Sequence, residues 1–181
     1  MTTERLILRK WNEKDAESLF KFAKDPDVGP IAGWPPHKSI EESLAVIRNV
    51  FNGKECYAIC EKTNGIAIGA IELMLNDKSN LALNENECEL GYWLGKPFWG
   101  KGYMTEAATE IIRRGFDNLG FERIWCGYFD GNEKSKRVHE KLGFMHQFTI
   151  DNYRVGLLSE IRVCHVNALT KEYWKKCHSG K

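Results

Sequence analysis

The order of apolar and polar residues predicts that the chain opens with one strand and two helices. Residues 5–9 alternate between apolar and polar side chains, as expected of a strand with one buried face. Residues 12–24 and 39–51 each begin with a residue that favours helix N-caps, and the second segment also carries a capping box. Residues 29–36, rich in glycine and proline, are predicted to form a loop.

The middle of the chain predicts three consecutive strands. Residues 57–60 and 66–75 are apolar runs separated by Lys-Thr-Asn-Gly, which is a hairpin signal. Residues 76–86 are polar and are predicted to form an exposed loop before a third strand at residues 88–94. We expect these strands to pair as an antiparallel meander.

A strand–helix–strand unit follows. A helical stripe closed by Gly120 is formed by Met104, Ala107, Ala108, Ile111, Ile112, Phe116 and Leu119. Residues 123–129 are the next predicted strand. A crossover between strands 88–94 and 123–129 is expected to close as a right-handed parallel pair.

A short helix at residues 132–142 and two strands, 144–150 and 161–169, complete the pattern. The element order predicts a single α/β (α+β) domain over residues 1–181. Its sheet is mixed and mostly antiparallel, with a splayed parallel pair and helices on both faces. A ligand is expected where the parallel and antiparallel halves part.

Composition narrows the class of protein. The formal net charge of +1 gives no general attraction to nucleic acid or to an anionic membrane. Four of the six cysteines lie in apolar, strand-like runs, and no cysteine or histidine spacing matches a zinc site. No apolar run approaches about 18 residues, and the N-terminus has no apolar leader. We expect a reduced, soluble, cytoplasmic protein with no metal, nucleic-acid or membrane partner.

The most informative motif is a glycine-rich turn between a predicted strand and a predicted helix. Residues 95–106 read Gly-Lys-Pro-Phe-Trp-Gly-Lys-Gly-Tyr-Met-Thr-Glu. Gly100 and Gly102 let the backbone approach a ligand closely, and the first N–H groups of a helix attract anions. The turn is therefore a candidate phosphate cradle.

Two common nucleotide-binding loops do not fit this turn. A triphosphate P-loop needs Ser or Thr after its lysine to hold magnesium, whereas Gly102 follows Lys101. The bulky residues 97–99 also occupy the part of the loop that would wrap the phosphate. The dinucleotide pattern needs a third glycine where Thr105 stands.

Four motifs occur in a consistent order: Glu-Leu-Gly-Tyr-Trp-Leu (89–94), Pro-Phe-Trp-Gly-Lys-Gly-Tyr-Met-Thr-Glu-Ala (97–107), Asn-x-x-Ser (132–135) and Lys-Leu-Gly-Phe (141–144). Together they resemble the GNAT superfamily of N-acetyltransferases, and more closely its RimJ/RimL-type branch. Residues 5–9 and the Gly-Trp-Pro-Pro-His loop at 33–37 fit that branch as well. The resemblance covers nearly the whole chain and implies acetyl-CoA as donor and a primary amine as acceptor.

The chain departs from the family pattern at three positions. Pro97 stands where the superfamily often has Gln or Arg. Ser135 is the hydroxyl residue where many members have a tyrosine acid, and Asn167 stands where this branch commonly has Tyr in the last strand.

The resemblance implies that the pyrophosphate of acetyl-CoA lies on the N–H groups of residues 99–105, namely Trp99, Gly100, Lys101, Gly102, Tyr103, Met104 and Thr105. Trp93 and Leu94 would end their strand beside the thioester, where a freed N–H can bind the oxyanion. Asn132 is expected to cap its helix. Ser135 would contact the thioester sulfur or the amide end of the pantetheine arm, and it would hydrogen-bond the departing thiolate.

Glu89 is the candidate general base, because a carboxylate in mid-strand beside a tryptophan is partly desolvated, which raises its pKa. Glu72 and Glu87 compete for this role. Trp34 and His37, together with Glu72, are candidates for contacts with the acceptor.

Two functions remain open from the sequence. One is an N-acetyltransferase that acts on a protein N-terminal α-amine of the ribosomal type or on a small-molecule amine. The other is a non-catalytic acyl-CoA-binding module, which would need neither Glu89 nor Ser135. Either could be a monomer or a homodimer.

Overall fold

A computed structural model describes residues 1–75, 78–79, 81 and 83–178. Within these residues the strands are β1 (Leu6–Arg9), β2 (Cys56–Glu61), β3 (Ala67–Met74), β4 (Glu87–Leu94), β5 (Arg123–Phe129), β6 (Met145–Val155) and β7 (Glu160–Thr170). They form one sheet in the order β1-β2-β3-β4-β5-β7-β6.

Around this sheet lie the helices α1 (Ala16–Ala23), α2 (Gly29–Ala32), α3 (Ile40–Asn49), α4 (Tyr103–Arg113), α5 (Glu133–Leu142) and α6 (Lys171–His178). In the part of the chain that the structure describes, no helix is long and apolar enough to span a membrane.

The sheet confirms the predicted mixed topology. All neighbouring strands pair antiparallel except β4 and β5, which pair parallel. That parallel pairing covers three residue pairs, from Glu87–Arg123 to Glu89–Trp125, and β4 continues to Leu94 without β5 beside it. The two strands therefore splay in the middle of the sheet.

The core is built from the predicted apolar stripes. Helix α4 buries Met104, Ala107, Ala108, Ile111 and Ile112 in the main hydrophobic cluster. The cysteines at 56, 60, 126 and 164 are buried free thiols, as expected, and so is Cys88.

Four elements differ from the sequence prediction. The predicted loop 29–36 contains the short helix α2, which has Pro30 in its first turn and ends at Gly33, at φ 95°. The helix predicted from Asn12 begins as a 3₁₀ turn. The helix predicted to reach Leu119 becomes a π-helical turn after Arg113. Helix α6 was not predicted. Of the predicted loop 76–86, residues 76, 77, 80 and 82 lie outside the described residues.

Candidate active site

A cleft of about 590 Å³ opens where β4 and β5 diverge. The end of β4, the glycine turn and the start of α4 form one wall, while β5 and α5 form the other. This location agrees with the expectation drawn from the topology. The cleft is lined by the predicted residues Glu89, Trp93, Leu94, Trp99, Gly100, Gly102, Tyr103, Met104, Thr105, Asn132 and Ser135.

The hydrogen-bond alternation of β4 determines which backbone groups face the cleft. Gly95 N–H donates to the carbonyl of Ile68 at 2.8 Å. Odd-numbered residues of β4 therefore bond with β3, and even-numbered residues turn their N–H and C=O groups toward β5. Because β5 has diverged, the N–H groups of Tyr92 and Leu94 face the cleft. The strand-end donor predicted from the sequence thus corresponds to Leu94 or Tyr92, and the Trp93 N–H points to β3.

Side chains bond to two of the β4 carbonyls that lose their β5 partner where the two strands diverge. The indole N–H of Trp99 donates to the Leu94 carbonyl at 2.6 Å, and the thiol of Cys126 lies 3.1 Å from the Leu90 carbonyl. An unpaired buried carbonyl is costly, so these contacts stabilise the splay.

A buried network stands behind Cys126. Its sulfur lies 3.0 Å from Nε2 of His139, and Nδ1 of His139 lies 3.1 Å from Nδ2 of Asn167. Both Cys126 and His139 are 1% exposed. Burial raises the pKa of Cys126 well above its ordinary value and lowers that of His139 to about 4. In a neutral imidazole, Nδ1 can accept from the Asn167 amide while the Nε2–H donates to the sulfur of Cys126. The S–H of Cys126 can then donate to the Leu90 carbonyl. The network is therefore a neutral structural brace.

Tyr92 and Ser135 meet across the cleft, with the phenol oxygen 2.7 Å from Oγ of the serine. Burial raises the pKa of Tyr92 well above its ordinary value, so the phenol keeps its proton. When Tyr92 donates to Ser135, the serine's own proton is free to point into the cleft. The sequence prediction missed Tyr92, although its place one residue before Trp93 gives it the opposite face of β4.

Asn132 caps α5 as predicted, because its side-chain oxygen accepts from Ser135 N–H at 3.1 Å. The cap holds Ser135 in the first turn of the helix. Residue 135 thereby faces both Tyr92 and the cleft.

The glycine turn has the backbone geometry of an anion cradle. Gly100 and Gly102 have φ angles of 74° and 79°, in the left-handed region that favours glycine. Helix α4 starts at Tyr103 without a side-chain cap, so its first N–H groups remain available to a ligand. Trp99 N–H already donates to the Lys96 carbonyl at 3.2 Å. The cradle therefore begins at Gly100, one residue later than predicted.

Lys101 does not contribute its side chain to the lining formed by the described residues. Its ammonium lies 5.6 Å from the ring centre of Phe98, and its carbonyl accepts from Arg5 at 2.9 Å. Arg5 also pairs with Glu106 at 2.7 Å. These contacts tie the glycine turn and α4 to the N-terminal segment.

A basic stripe on α5 was missed in the sequence. Lys134, Arg137 and Lys141 line the cleft. Their spacing of three and four residues puts them on one helix face, which could have been read from the sequence. The ammonium of Lys134 also lies 4.7 Å from the ring centre of Trp99. The stripe brings positive charge to the side of the cleft that faces the glycine turn.

Of the three carboxylates considered, Glu89 lines the cleft, and its Oε2 accepts from Ser79 at 2.6 Å. Burial alone would raise the pKa of Glu87, but hydrogen bonds from Trp125 and Asn84 outweigh it and lower that pKa. Glu72 is paired with Lys78 at 3.0 Å. Neither Glu87 nor Glu72 belongs to the lining formed by the described residues.

Trp34 and His37 support the cleft from behind and are not among the described residues that line it. The ring of Trp34 packs edge-on against Trp93, with 5.7 Å between centres. Nδ1 of His37 lies 2.8 Å from Oγ of Ser43, and burial lowers the pKa of His37. The structure gives these two residues packing contacts, and their contact with the acceptor stays a prediction. Among the described residues, no group of three or more His, Cys, Asp or Glu could hold a metal ion.

Two sequence relatives extend this picture. The "Uncharacterized N-acetyltransferase p20" of Bacillus licheniformis is 28% identical over 176 residues, which cover 94% of this chain and 96% of that protein. The "Putative ribosomal N-acetyltransferase YdaF" of Bacillus subtilis is 36% identical over 84 residues, which cover 46% of this chain and 43% of that protein.

A solved structure shows the same fold. The acetyltransferase of the GNAT family from Bacillus anthracis superposes with a TM-score of 0.81 at 22% identity, covering 95% of this chain and 98% of that one. A family model for the acetyltransferase (GNAT) domain matches residues 5–145. With the splayed β4–β5 pair and the glycine turn at the start of α4, this match shows that the chain belongs to the GNAT family of acetyltransferases.

Proposed function

We propose that the protein transfers the acetyl group of acetyl-CoA directly to a primary α-amine. The observation that carries this proposal is that one cleft holds a carboxylate on β4, a serine hydroxyl on α5 and, between them, two N–H groups of β4 that have no partner on β5. These are the base, the hydrogen-bond donor and the oxyanion site that acyl transfer to an amine requires.

The donor would lie between the glycine turn and α5. The N–H groups from Gly100 to Thr105 suit a pyrophosphate, and the basic stripe of Lys134, Arg137 and Lys141 faces them across the cleft. Gly100 leaves open space where a side chain would stand, as a cradle for a ligand requires. These N–H groups and the basic stripe fit the phosphates of a phosphorylated thioester.

In the proposed step the amine nitrogen attacks the thioester carbonyl carbon, and its proton passes to Glu89, directly or through water. The oxyanion that develops is held by the N–H groups of Leu94 and Tyr92. The C–S bond then breaks. The departing thiolate accepts a hydrogen bond from Ser135 and takes up a proton from water, while Glu89 returns its proton to water. Overall, one C–N bond replaces one C–S bond, and one proton moves from the amine to the thiol.

Direct transfer is favoured over an acetylated cysteine. Cys126 and Cys164 both line the cleft, yet both are buried. Burial raises the pKa of Cys164 to about 11, and burial also raises the pKa of Cys126 well above its ordinary value. Thiols that stay protonated are poor nucleophiles, so neither is suited to carry the acetyl group.

For the acceptor we propose an N-terminal α-amine of a protein, with a small-molecule amine as the second possibility. The relative YdaF is named as a putative ribosomal N-acetyltransferase, and its sequence aligns with 46% of this chain. An α-amine has a pKa of about 8, so about a tenth of it is already neutral at pH 7, and a single partly buried carboxylate suffices as base.

The alternative of a non-catalytic acyl-CoA-binding module is tested by the double variant Glu89→Gln, Ser135→Ala. Calorimetry with acetyl-CoA and a thiol-release assay with peptide substrates should both be run on wild type and variant. We expect the variant to bind acetyl-CoA but to transfer the acetyl group at least about 10²-fold more slowly than the wild type. Binding without transfer to any amine by the wild type would favour the module.

A further inference from the structure

The part of the cleft away from α4 and α5 is an apolar chamber. We define the acceptor chamber by Val28, Ile31, Met74, Trp93, Phe129 and Tyr153. Glu89 and Trp93 share one face of β4, because alternate residues of a strand point to the same side. The edge-on contact of Trp93 with Trp34 directs this face toward the α2 segment. The inference below rests on the proposed acetyl transfer.

The wall of the chamber is tied together by contacts that do not need a ligand. The rings of Phe129 and Tyr153 pack with 5.6 Å between centres, and the guanidinium of Arg162 lies 5.2 Å from the centre of Phe129. Arg162 also donates to the carbonyl of Pro30 at 2.6 Å, which holds α2 over the chamber. At Gly33 a Cβ would come within 3.2 Å of Phe129, so the chain closes tightly at this point. The chamber is therefore preformed.

Charge is distributed unevenly along the cleft. Among the described residues that line it, Glu89 is the carboxylate, and the cationic side chains are those of the basic stripe on α5. An amine that enters the chamber thus finds one negative partner surrounded by apolar and aromatic groups. A second positive charge on the same molecule would be desolvated without a carboxylate partner in the described wall, which is costly.

We propose that the preferred acceptor is an α-amine whose own side chain is bulky and apolar, such as an N-terminal phenylalanine or leucine. The amine would lie at Glu89, and the side chain would fill the space between Ile31, Phe129 and Tyr153. Apolar pockets discriminate by burying area, so a serine or alanine side chain would leave this space unfilled. Polyamines and aminoglycosides, with several charges, would be poor acceptors.

The test is a series of peptides that differ only in the first residue (Phe, Leu, Ala or Ser), with phenethylamine and spermidine as free amines. Acetylation is followed by thiol release and by product mass. We expect kcat/KM for the Phe peptide to exceed that for the Ser peptide at least about tenfold, in line with the discrimination that apolar pockets reach. If phenethylamine is acetylated as efficiently as the Phe peptide, the aromatic side chain in the chamber belongs to a small-molecule amine and not to a protein N-terminus.

A substitution in the chamber tests its role through a ratio of two substrates, which a general loss of folded protein would not change. Ile31→Phe narrows the chamber, and the ratio of kcat/KM for Phe over Ala peptides should fall at least about fivefold. The exposed Ile66 provides the matched control, since Ile66→Phe should leave this ratio unchanged. Transfer that favours Ser, Ala or spermidine would overturn the inference while leaving acetyl transfer intact. No transfer to any amine would instead overturn the proposed function.

Discussion

The phenol oxygen of Tyr92 lies 2.7 Å from Oγ of Ser135, and this contact joins the splayed end of β4 to the first turn of α5. A serine hydroxyl has one proton, and its direction decides whether it can assist a leaving group. When Tyr92 donates to Ser135, that proton is free, and in the proposed mechanism it serves the thioester sulfur. Tyr92 is in this sense a positioning residue.

Tyr92→Phe should therefore lower kcat about tenfold, the effect of one hydrogen bond of about 1.4 kcal/mol, with little change in KM for acetyl-CoA. In the Ser135→Ala background, the same change should have almost no further effect on kcat. Tyr57→Phe is the control, because Tyr57 donates to Glu55 outside the cleft. Additive losses in the double variant would contradict the coupling.

The activity lost when the proposed base Glu89 is removed should be partly restored at high pH. Glu89→Gln is expected to lower kcat/KM at pH 7 by about 10²-fold or more, the usual contribution of a general base. Above the amine pKa of about 8 the deficit should shrink, since the acceptor is then neutral without help. Steady-state rates from pH 6.5 to 9.5 measure this. Glu72→Gln on the neighbouring strand should follow the wild-type profile, and a constant deficit across pH would argue against Glu89 as base.

The glycine cradle offers a matched pair of substitutions. Gly100 and Gly120 have φ angles of 74° and 79°, and open space surrounds the Cβ position of each. Alanine at either site should cost about 1 kcal/mol of folding stability, because both residues adopt left-handed backbone. Only Gly100→Ala should also weaken acetyl-CoA binding, by about tenfold, since its Cβ enters the ligand's space. Equal Kd values in calorimetry for the two variants would rule out this cradle.

The buried brace predicts an acid-sensitive fold. His139 has a pKa of about 4 in the folded chain, below the 6.5 of a free imidazole, because burial disfavours its charged form. Between these pH values the unfolded chain binds more protons, so stability is full above about pH 6.5 and falls as the pH decreases. His139 alone should cost about 1.5 kcal/mol between pH 6.5 and 5.

Urea unfolding of wild type and His139→Gln at pH 6.5 and pH 5 measures the contribution of His139 to this pH dependence of stability. His37, whose pKa is also lowered by burial, contributes in the same direction in both proteins. The variant should be less stable at pH 6.5 but should lose less stability on acidification. An equal pH dependence for the two proteins would show that His139 does not titrate across this range.

Much of the fold followed from local patterns. The apolar stripe of α4 and the strand before it predicted the parallel crossover, and a right-handed crossover leaves little choice of topology. Helix α6 was missed because residues 171–178 carry few apolar side chains, although Trp174 packs in the core. The π-helical turn after Arg113 keeps Phe116 buried, and an apolar stripe cannot distinguish it from a continued α-helix.

Sequence patterns point to site features that depend on the backbone, and they miss features that depend on tertiary partners. The cradle could be expected from two glycines before a helix. The pairing of Tyr92 with Ser135 spans 43 positions of the chain and becomes visible only in the folded structure. His37 and Trp34 looked available in a loop, yet their partners are Ser43 and Trp93. The extent of the domain, over residues 1–181, and the oligomeric state stay predictions.

Direct transfer from acetyl-CoA to an α-amine can be followed by mass spectrometry of both enzyme and peptide during turnover. A peptide with a free N-terminus should gain one acetyl group on its α-amine, in equal amount to the CoA released. The intact mass of the enzyme should stay unchanged before and during turnover. An acetylated enzyme formed with acetyl-CoA alone, or CoA release without an acetylated amine, would contradict direct transfer.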